Sequence, residues 1–432
     1  MSAAALTPDA VDRRRSVPLG RIVLMGALWL VCCLLLVLRE PGVILRAELW
    51  AEDGWVWFPD AYHHGWASLL RPHSGYLQTF PRLASLAALP FPLTWLPTLF
   101  AAIALAMQAL PAAFLLSPRL DAAWPSRLGR VLFALVFVML PNTYEGFVNV
   151  TNTQWYLAIL AFLVLVSRPG RVWPSGVFDA GVLGVGGLTG PFCLFLLPVA
   201  AWAWWADRDR ARLLRLLLVG GACVVQALCL FATMDTTRTT APLGAGVVLL
   251  ARIVSQQVFL GGLLGVPYIQ QIRESWLWSH DIVPVLAALI GLALLARAIW
   301  RGPPMLRMAA LSGGLLFAAA LLRPQVSDAD PQWVMMTVPV AGQRYYLIPM
   351  LIWIGALLSL LGDPRPLPRL AAAALLVLLP FGIKRDWYYP WLSRTDFAET
   401  ARVFAAAPPG TMVVFHIRPT DRIPMVLIRK DR

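Results

Sequence analysis

Charge is scarce in this chain. Asp, Glu, Lys and Arg together make up 14% of its 432 residues, whereas soluble domains carry about a quarter. A soluble globular domain is excluded on that ground. Lysine is scarcer still, with Lys384 and Lys430 the only two, so the net charge of +13 is an arginine charge. Much of it lies between apolar runs, which points to membrane topology and away from nucleic acid. Cysteine is limited to Cys32, Cys33, Cys193, Cys223 and Cys229, all inside apolar runs. There it acts as a small hydrophobe, and neither a disulfide framework nor a thiolate metal site is expected. Polar–apolar alternation is missing too, which excludes a β-barrel. Neither an internal repeat nor a low-complexity segment is present.

Hydrophobic residues are abundant, at 59%. They recur in long apolar runs along almost the whole chain, the pattern of an all-α polytopic membrane protein. About eleven transmembrane helices are predicted, over 22–38, 95–117, 128–141, 154–167, 176–188, 191–206, 213–232, 282–299, 307–322, 345–361 and 369–383. Several are shorter than the roughly 20 residues that a perpendicular crossing needs. Residues 1–21 form a polar N-terminal tail carrying Arg13, Arg14, Arg15 and Arg21. No small-residue cleavage site follows the first run, so that run reads as an uncleaved anchor.

The segments 1–21, 118–130, 168–171, 207–215, 297–307 and 362–369 hold half of the 36 Lys and Arg. The positive-inside rule makes them cytoplasmic. The multi-span domain 22–383 then presents loops 39–94, 142–153, 233–281 and 323–344 to the periplasm, together with a C-terminal segment, 384–432. Arginine-heavy, lysine-poor usage suggests a bacterial source and hence the bacterial cytoplasmic (inner) membrane. Within these loops, Tyr76–Leu89 is expected as an interfacial helix. The apolar stretch Gly244–Leu264 is read as re-entrant or interfacial. The tail is α/β-like: a helix near Asp396–Ala407, a Pro408-Pro409-Gly410 turn, and strands at Thr411–His416 and Met425–Ile428.

Chemistry is confined by the same scarcity. All five histidines (His63, His64, His73, His280, His416) fall on the predicted outer face, and within the spans Asp179 stands out as an ionisable group. The first candidate is Glu52-Asp53, in the aromatic stretch Trp50–Asp60 just past the first span. Adjacent acids at a bilayer surface repel each other and lose solvation. A general base is one use for such a pair, with a divalent cation nearby as another; a solvated acidic loop is the plain alternative. Asp60, His63, His64 and His73 follow, with His73 placed among the substrate-contacting candidates. The second candidate is Gly342–Tyr346, where Arg344 and Tyr345 can hold a phosphate or anchor a helix at the headgroups. The third is Asn142–Trp155. Its Glu145, Asn149, Asn152, Gln154 and Trp155 can bind a sugar, or its polar side chains can cap helix ends. Lys384 and Arg385 offer a second phosphate contact or flank the last span.

An acidic pair after the first span, about eleven spans with the N-terminus inside, and an Arg344-Tyr345 pair opening a late span are together similar to the GT-C superfamily of membrane glycosyltransferases. The resemblance implies transfer of a sugar from a polyprenyl-phosphate carrier to a glycan, lipid or protein acceptor of the cell envelope. Asp53 or Glu52 would be the base, and Arg344 would meet the lipid phosphate. The tail is far shorter than the outer domains of larger members. A transporter or flippase for lipid-linked glycans is the alternative, followed by a non-catalytic envelope-assembly protein. With no histidine in a span or on the inner face, a membrane acyltransferase is disfavoured.

Overall fold

The computed structural model describes residues 19–170, 173–233, 240–389, 394–420 and 423–431. The N-terminal tail with Arg13, Arg14 and Arg15 lies outside the described residues. Among them, seven helices are long and apolar enough to cross a membrane: Ile22–Arg39, Leu93–Leu115, Arg210–Ala232, Ile282–Arg301, Pro304–Leu322, Gln343–Leu360 and Pro366–Arg385. The chain is therefore a helical, multi-pass membrane protein. The other four predicted spans also fold as helices, Arg127–Met139, Thr153–Val166, Trp173–Gly187 and Phe192–Asp207, but of only 13 to 16 residues. At about 1.5 Å per residue they reach roughly 20–24 Å, less than the roughly 30 Å hydrocarbon layer.

The apolar stretch 244–264 enters a helix pair, Val247–Phe259 and Gly261–Arg273, bent by 113°. Two local features produce the bend. Residues Val254–Phe259 are wound as a π-helix, and Gly265 sits at φ +75°, ψ 173°, two residues before Pro267. A side chain at 265 would be strained there, and its Cβ would lie 2.8 Å from Asp386.

Thr153–Val166 is apolar all round and almost wholly buried, and Leu347–Leu360 is apolar with no fully exposed residue, as expected of central helices. The first packs on Leu96–Leu115, Trp173–Gly187 and Phe192–Asp207. Buried arginines tie neighbouring helices together at their C-termini, where carbonyls lack intrahelical partners. Arg130 donates to Leu115 O and Ser117 O at 3.2 and 2.7 Å. Arg215 donates to Val164 O and Ser167 O at 2.8 and 2.9 Å. Asp179, the acid in a span, lies between Arg119 and Arg215 at 2.7 and 2.5 Å. Part of the arginine that reads as a topology signal, Arg130 and Arg215, is thus also helix-capping. The Thr153–Val166 helix starts beside Asp53 and ends at this arginine cluster, so the bundle has an acid end and an arginine end.

At the acid end, Thr79–Ala88 forms a short helix within the expected 76–89 stretch. The tail also folds as read: helix Phe397–Ala406 covers an antiparallel pair, β1 (Met412–Phe415) and β2 (Met425–Ile428). Phe397 and Phe404 pack on Phe415 with ring centroids 5.4 and 5.7 Å apart. The unit docks on the first loop. Arg418 N–H donates to Leu49 O at 3.0 Å, and Ala51 N–H to Arg418 O at 2.5 Å. Lys430 Nζ donates to Tyr62 O and His63 O at 2.8 and 3.0 Å.

Candidate functional site

The Arg418 bridge grips the backbone at Trp50 immediately before the acidic pair. Ala51 then adopts a left-handed conformation, φ 44°, and the chain enters a π-helical turn, Asp53–Trp57. π-Turns are rare and concentrate at functional sites. This entry sends the two adjacent acids to different environments.

Asp53 is buried. It accepts hydrogen bonds from Thr151 N–H and Thr151 Oγ1 at 2.7 Å each and from Val150 N–H at 3.2 Å. Burial pushes its carboxyl from 3.8 up to about 7; the Glu52 charge adds to the rise, and the hydrogen bonds oppose it. Trp57 Nε1 closes the group on Thr151 Oγ1 at 3.0 Å. Glu52 is only partly buried and has no hydrogen bond or ion pair among the described residues. Its charge acts on Asp53, His73 and Arg344. Burial lowers the pKa of His73, which sits edge-on to Trp57 and Trp55 at 5.0 and 5.6 Å.

The polar loop 142–153 meets the acids from one side and Arg344 from the other. Arg344 pairs with Glu145, its backbone N–H donates to Glu145 Oε2 at 3.1 Å, and Nη2 donates to Gln325 O at 2.8 Å. Asn149 and Asn152 both donate to Glu145 O, at 2.9 and 3.0 Å. Gln154 accepts from Gln78 at 3.3 Å. Trp155 stands edge-on to Tyr345 at 5.8 Å and to Phe192 at 4.9 Å. Two buried polar atoms here, Trp155 Nε1 and Asn152 Oδ1, lack partners among the described residues. Both residues line a small space with Thr143, Gln343 and Arg344. A buried donor and a buried acceptor without partners are costly, and together with Arg344 they offer a polar ligand three contacts.

Glu52, Asp53, His73, Glu145, Asn149, Asn152, Gln154, Trp155, Arg344 and Tyr345 therefore converge. Lys384 and Arg385 do not join them: both are exposed at the end of their helix and make no hydrogen bond or ion pair to the cluster among the described residues. No group of three or more His, Cys, Asp or Glu is arranged to hold a metal among the described residues.

Several supporting residues carry no local sequence signal. Asp386 accepts from Asn142 N–H at 2.6 Å. Arg39 reaches Leu140 O and Asp386 O at 2.9 and 3.2 Å and lies over the Tyr389 ring at 4.3 Å. Gln256 and Gln257 in the bent pair were visible as amides inside an apolar run. They donate to Thr337 O and Met336 O at 2.6 and 3.0 Å, and Gln257 O accepts from Asn142 Nδ2 at 3.1 Å.

The burial of Asp53 has a pH consequence. Its folded pKa lies above its unfolded value, so the native state binds a proton more readily. The stability this contributes is fully present below about pH 4 and is lost as pH rises through about 7. Melting temperature against pH should fall more steeply in the wild type than in Asp53→Asn, which mimics the protonated form. Parallel curves would place Asp53 in water.

No family model matches the chain, and the search of curated proteins found no match.

Proposed function

We propose that the protein is a GT-C-like glycosyltransferase of the bacterial inner membrane. It would move a sugar from a polyprenyl-phosphate carrier to a hydroxyl of a cell-envelope glycan, lipid or protein, with its acid end facing the periplasm. The observation that carries this reading is an apolar cavity of about 460 Å³ next to the polar cluster, within the usual range of ligand pockets of about 300–1,000 Å³. Phe162, Phe192, Phe195, Leu316, Ile348 and Ile352 line it, together with Trp124 and Pro303. Phe192 brings it up to Trp155, which in turn stands edge-on to Tyr345. A long apolar space beneath a carboxylate, an arginine and clustered amides suits a molecule with a lipid tail and a sugar-phosphate head.

The two acids then divide the work. Glu52, which makes no hydrogen bond or ion pair among the described residues, takes the proton of the acceptor hydroxyl. The acceptor oxygen forms its bond to the anomeric carbon as the bond from that carbon to the phosphate oxygen breaks, and the polyprenyl phosphate leaves with the electron pair. Asp53 positions the turn that carries Glu52. Arg344 has five N–H donors; Glu145, Gln325 and Tyr345 engage three, which leaves two for the phosphate. Preorganised donors of this kind stabilise developing charge without reorganisation.

The test is transfer in proteoliposomes supplied with a panel of polyprenyl-phosphate sugars and envelope-glycan acceptors. Movement of label from donor to acceptor is the expected result; intact donor throughout the panel would sink the reading. Filling the cavity gives a separate check. Ala309→Phe, on the cavity wall, should raise KM for long-chain donors about tenfold or more while short-chain donors are less affected. Equal effects on both would remove the cavity from the mechanism.

The bent helix pair 247–273 supports a second reading. Broken helices near the middle of a membrane are common in transporters, so a flippase for lipid-linked glycans remains the alternative. A flippase would carry the lipid across vesicles with the sugar–phosphate bond intact and would be indifferent to Glu52→Gln.

A further inference from the structure

A second pocket lies at the acid end, adjoining the Glu52–Arg344 cluster and sharing Asn149 with it. It has a volume of about 50 Å³ and is lined by Glu40, Arg46, Glu48, Trp50, Tyr144 and Phe147, among others. Glu40 follows directly on the first helix and is 6% exposed. Its Oε1 accepts from Gly42 N–H at 3.1 Å, but its Oε2 is buried with no partner among the described residues. A buried carboxylate oxygen without a donor is costly and calls for an explanation. The Tyr144 hydroxyl and the Trp50 indole N–H also have no hydrogen bond among the described residues. The Trp50 and Tyr144 rings meet edge-on at 6.3 Å.

We infer that this pocket binds one sugar ring of the acceptor, through the Glu40 carboxylate, the Tyr144 hydroxyl and the Trp50–Tyr144 aromatic wall. The chemistry selects a neutral polyol. An anion would meet Glu40 and Glu48, whereas the hydroxyls of a polyol can donate to a carboxylate. Glu48 is already held by Thr395 at 2.6 Å, which leaves Glu40 as the acceptor of ligand hydroxyls. Aromatic faces with a few placed polar groups are the ordinary make-up of a small-ligand site. One water needs about 10–15 Å³, so the space suits the hydroxyl-bearing edge of one ring rather than an oligosaccharide.

The place of the pocket fits an acceptor. Trp50 is two residues from Glu52 and carries the bridge to Arg418. Tyr144 adjoins Glu145, the partner of Arg344. Asn149 lines the pocket and donates to Glu145 O at 2.9 Å. The acceptor role rests on the transferase reading; sugar binding here does not.

The experiment is saturation-transfer NMR on the full-length protein in nanodiscs, with methyl glycosides of glucose, galactose, mannose and arabinose as probes. At least one should receive saturation from the wild type. Tyr144→Phe, which removes one hydroxyl that has no partner to lose, should weaken that binding about fivefold, the worth of one hydrogen bond. Glu40→Gln should weaken it at least as much. No signal with any probe, or equal signal in wild type and both variants, overturns the pocket. Sugar binding without transfer from any donor would keep the pocket and sink the transferase. Transfer with an acceptor KM unmoved by Tyr144→Phe would do the reverse.

Discussion

On the proposed mechanism, Glu52→Gln should nearly abolish transfer while leaving the protein folded. The expected fall in kcat is about 10²–10⁴-fold, the usual contribution of a general base. Donor affinity should change little, because on the proposed mechanism Glu52 acts on the acceptor hydroxyl. Folding should hold, because the side chain is partly exposed and makes no hydrogen bond or ion pair among the described residues. The contrast with Asp53→Asn is the sharper part. Asparagine can still accept from Thr151, but its amide would turn a donor toward Val150 N–H, now 3.2 Å from Asp53 Oδ2. A donor facing a donor in a buried site costs about 1–3 kcal/mol. Asp53→Asn should therefore show in the melting temperature, and Glu52→Gln in the rate. Reversal of that pattern would return the base to Asp53; full activity in Glu52→Gln would remove the base altogether.

The second large effect is at Arg344. Arg344→Ala should lower transfer by about 10²–10³-fold, as loss of one preorganised charge-stabilising donor does elsewhere. It also strands Glu145, whose side chain is 17% exposed. Breaking a buried pair by removing one partner destabilises strongly, whereas replacing both is often neutral. The double variant Arg344→Ala, Glu145→Gln should thus recover most of the lost thermal stability without recovering transfer. Thermal unfolding and transfer measured on the two single variants and the double variant form the check. Recovery of both together would make Arg344 a tether between two loops and nothing more.

The comparison of sequence with structure turns on range. The helices over 22–38, 213–232 and 369–383 are legible because long apolar runs form helices wherever a membrane removes water from the backbone. The tail was equally legible: the Pro408-Pro409-Gly410 turn and the short apolar run Met425–Ile428 are local signals, and the structure has a turn after the Phe397–Ala406 helix and a strand at 425–428. The number of crossings was not. Runs such as 128–141 and 176–188 form helices, but their residue count alone does not carry them across a bilayer.

Candidate residues were legible by type and not by role. Glu52 and Asp53 are neighbours with the same chemistry on paper. They part because Ala51 turns left-handed, Arg418 holds Trp50, and Thr151 supplies two hydrogen bonds from almost a hundred residues away. Lys384 and Arg385 were plausible by charge and lie elsewhere, since a helix end exposed to water gives them no reason to fold inward.

The sequence by itself determined that this chain is a helical membrane protein, that its acids and amides gather in loops between apolar runs, and that its tail carries a small hairpin. Those properties follow from local hydropathy and turn chemistry, which act over a few residues. Tertiary structure alone decided which acid is buried, that Arg344 pairs with Glu145, that the tail clamps the acidic loop, and that helices distant in sequence enclose a cavity of about 460 Å³. Each depends on contacts between segments far apart in sequence, and their spacing along the chain carries no record of the distance across it.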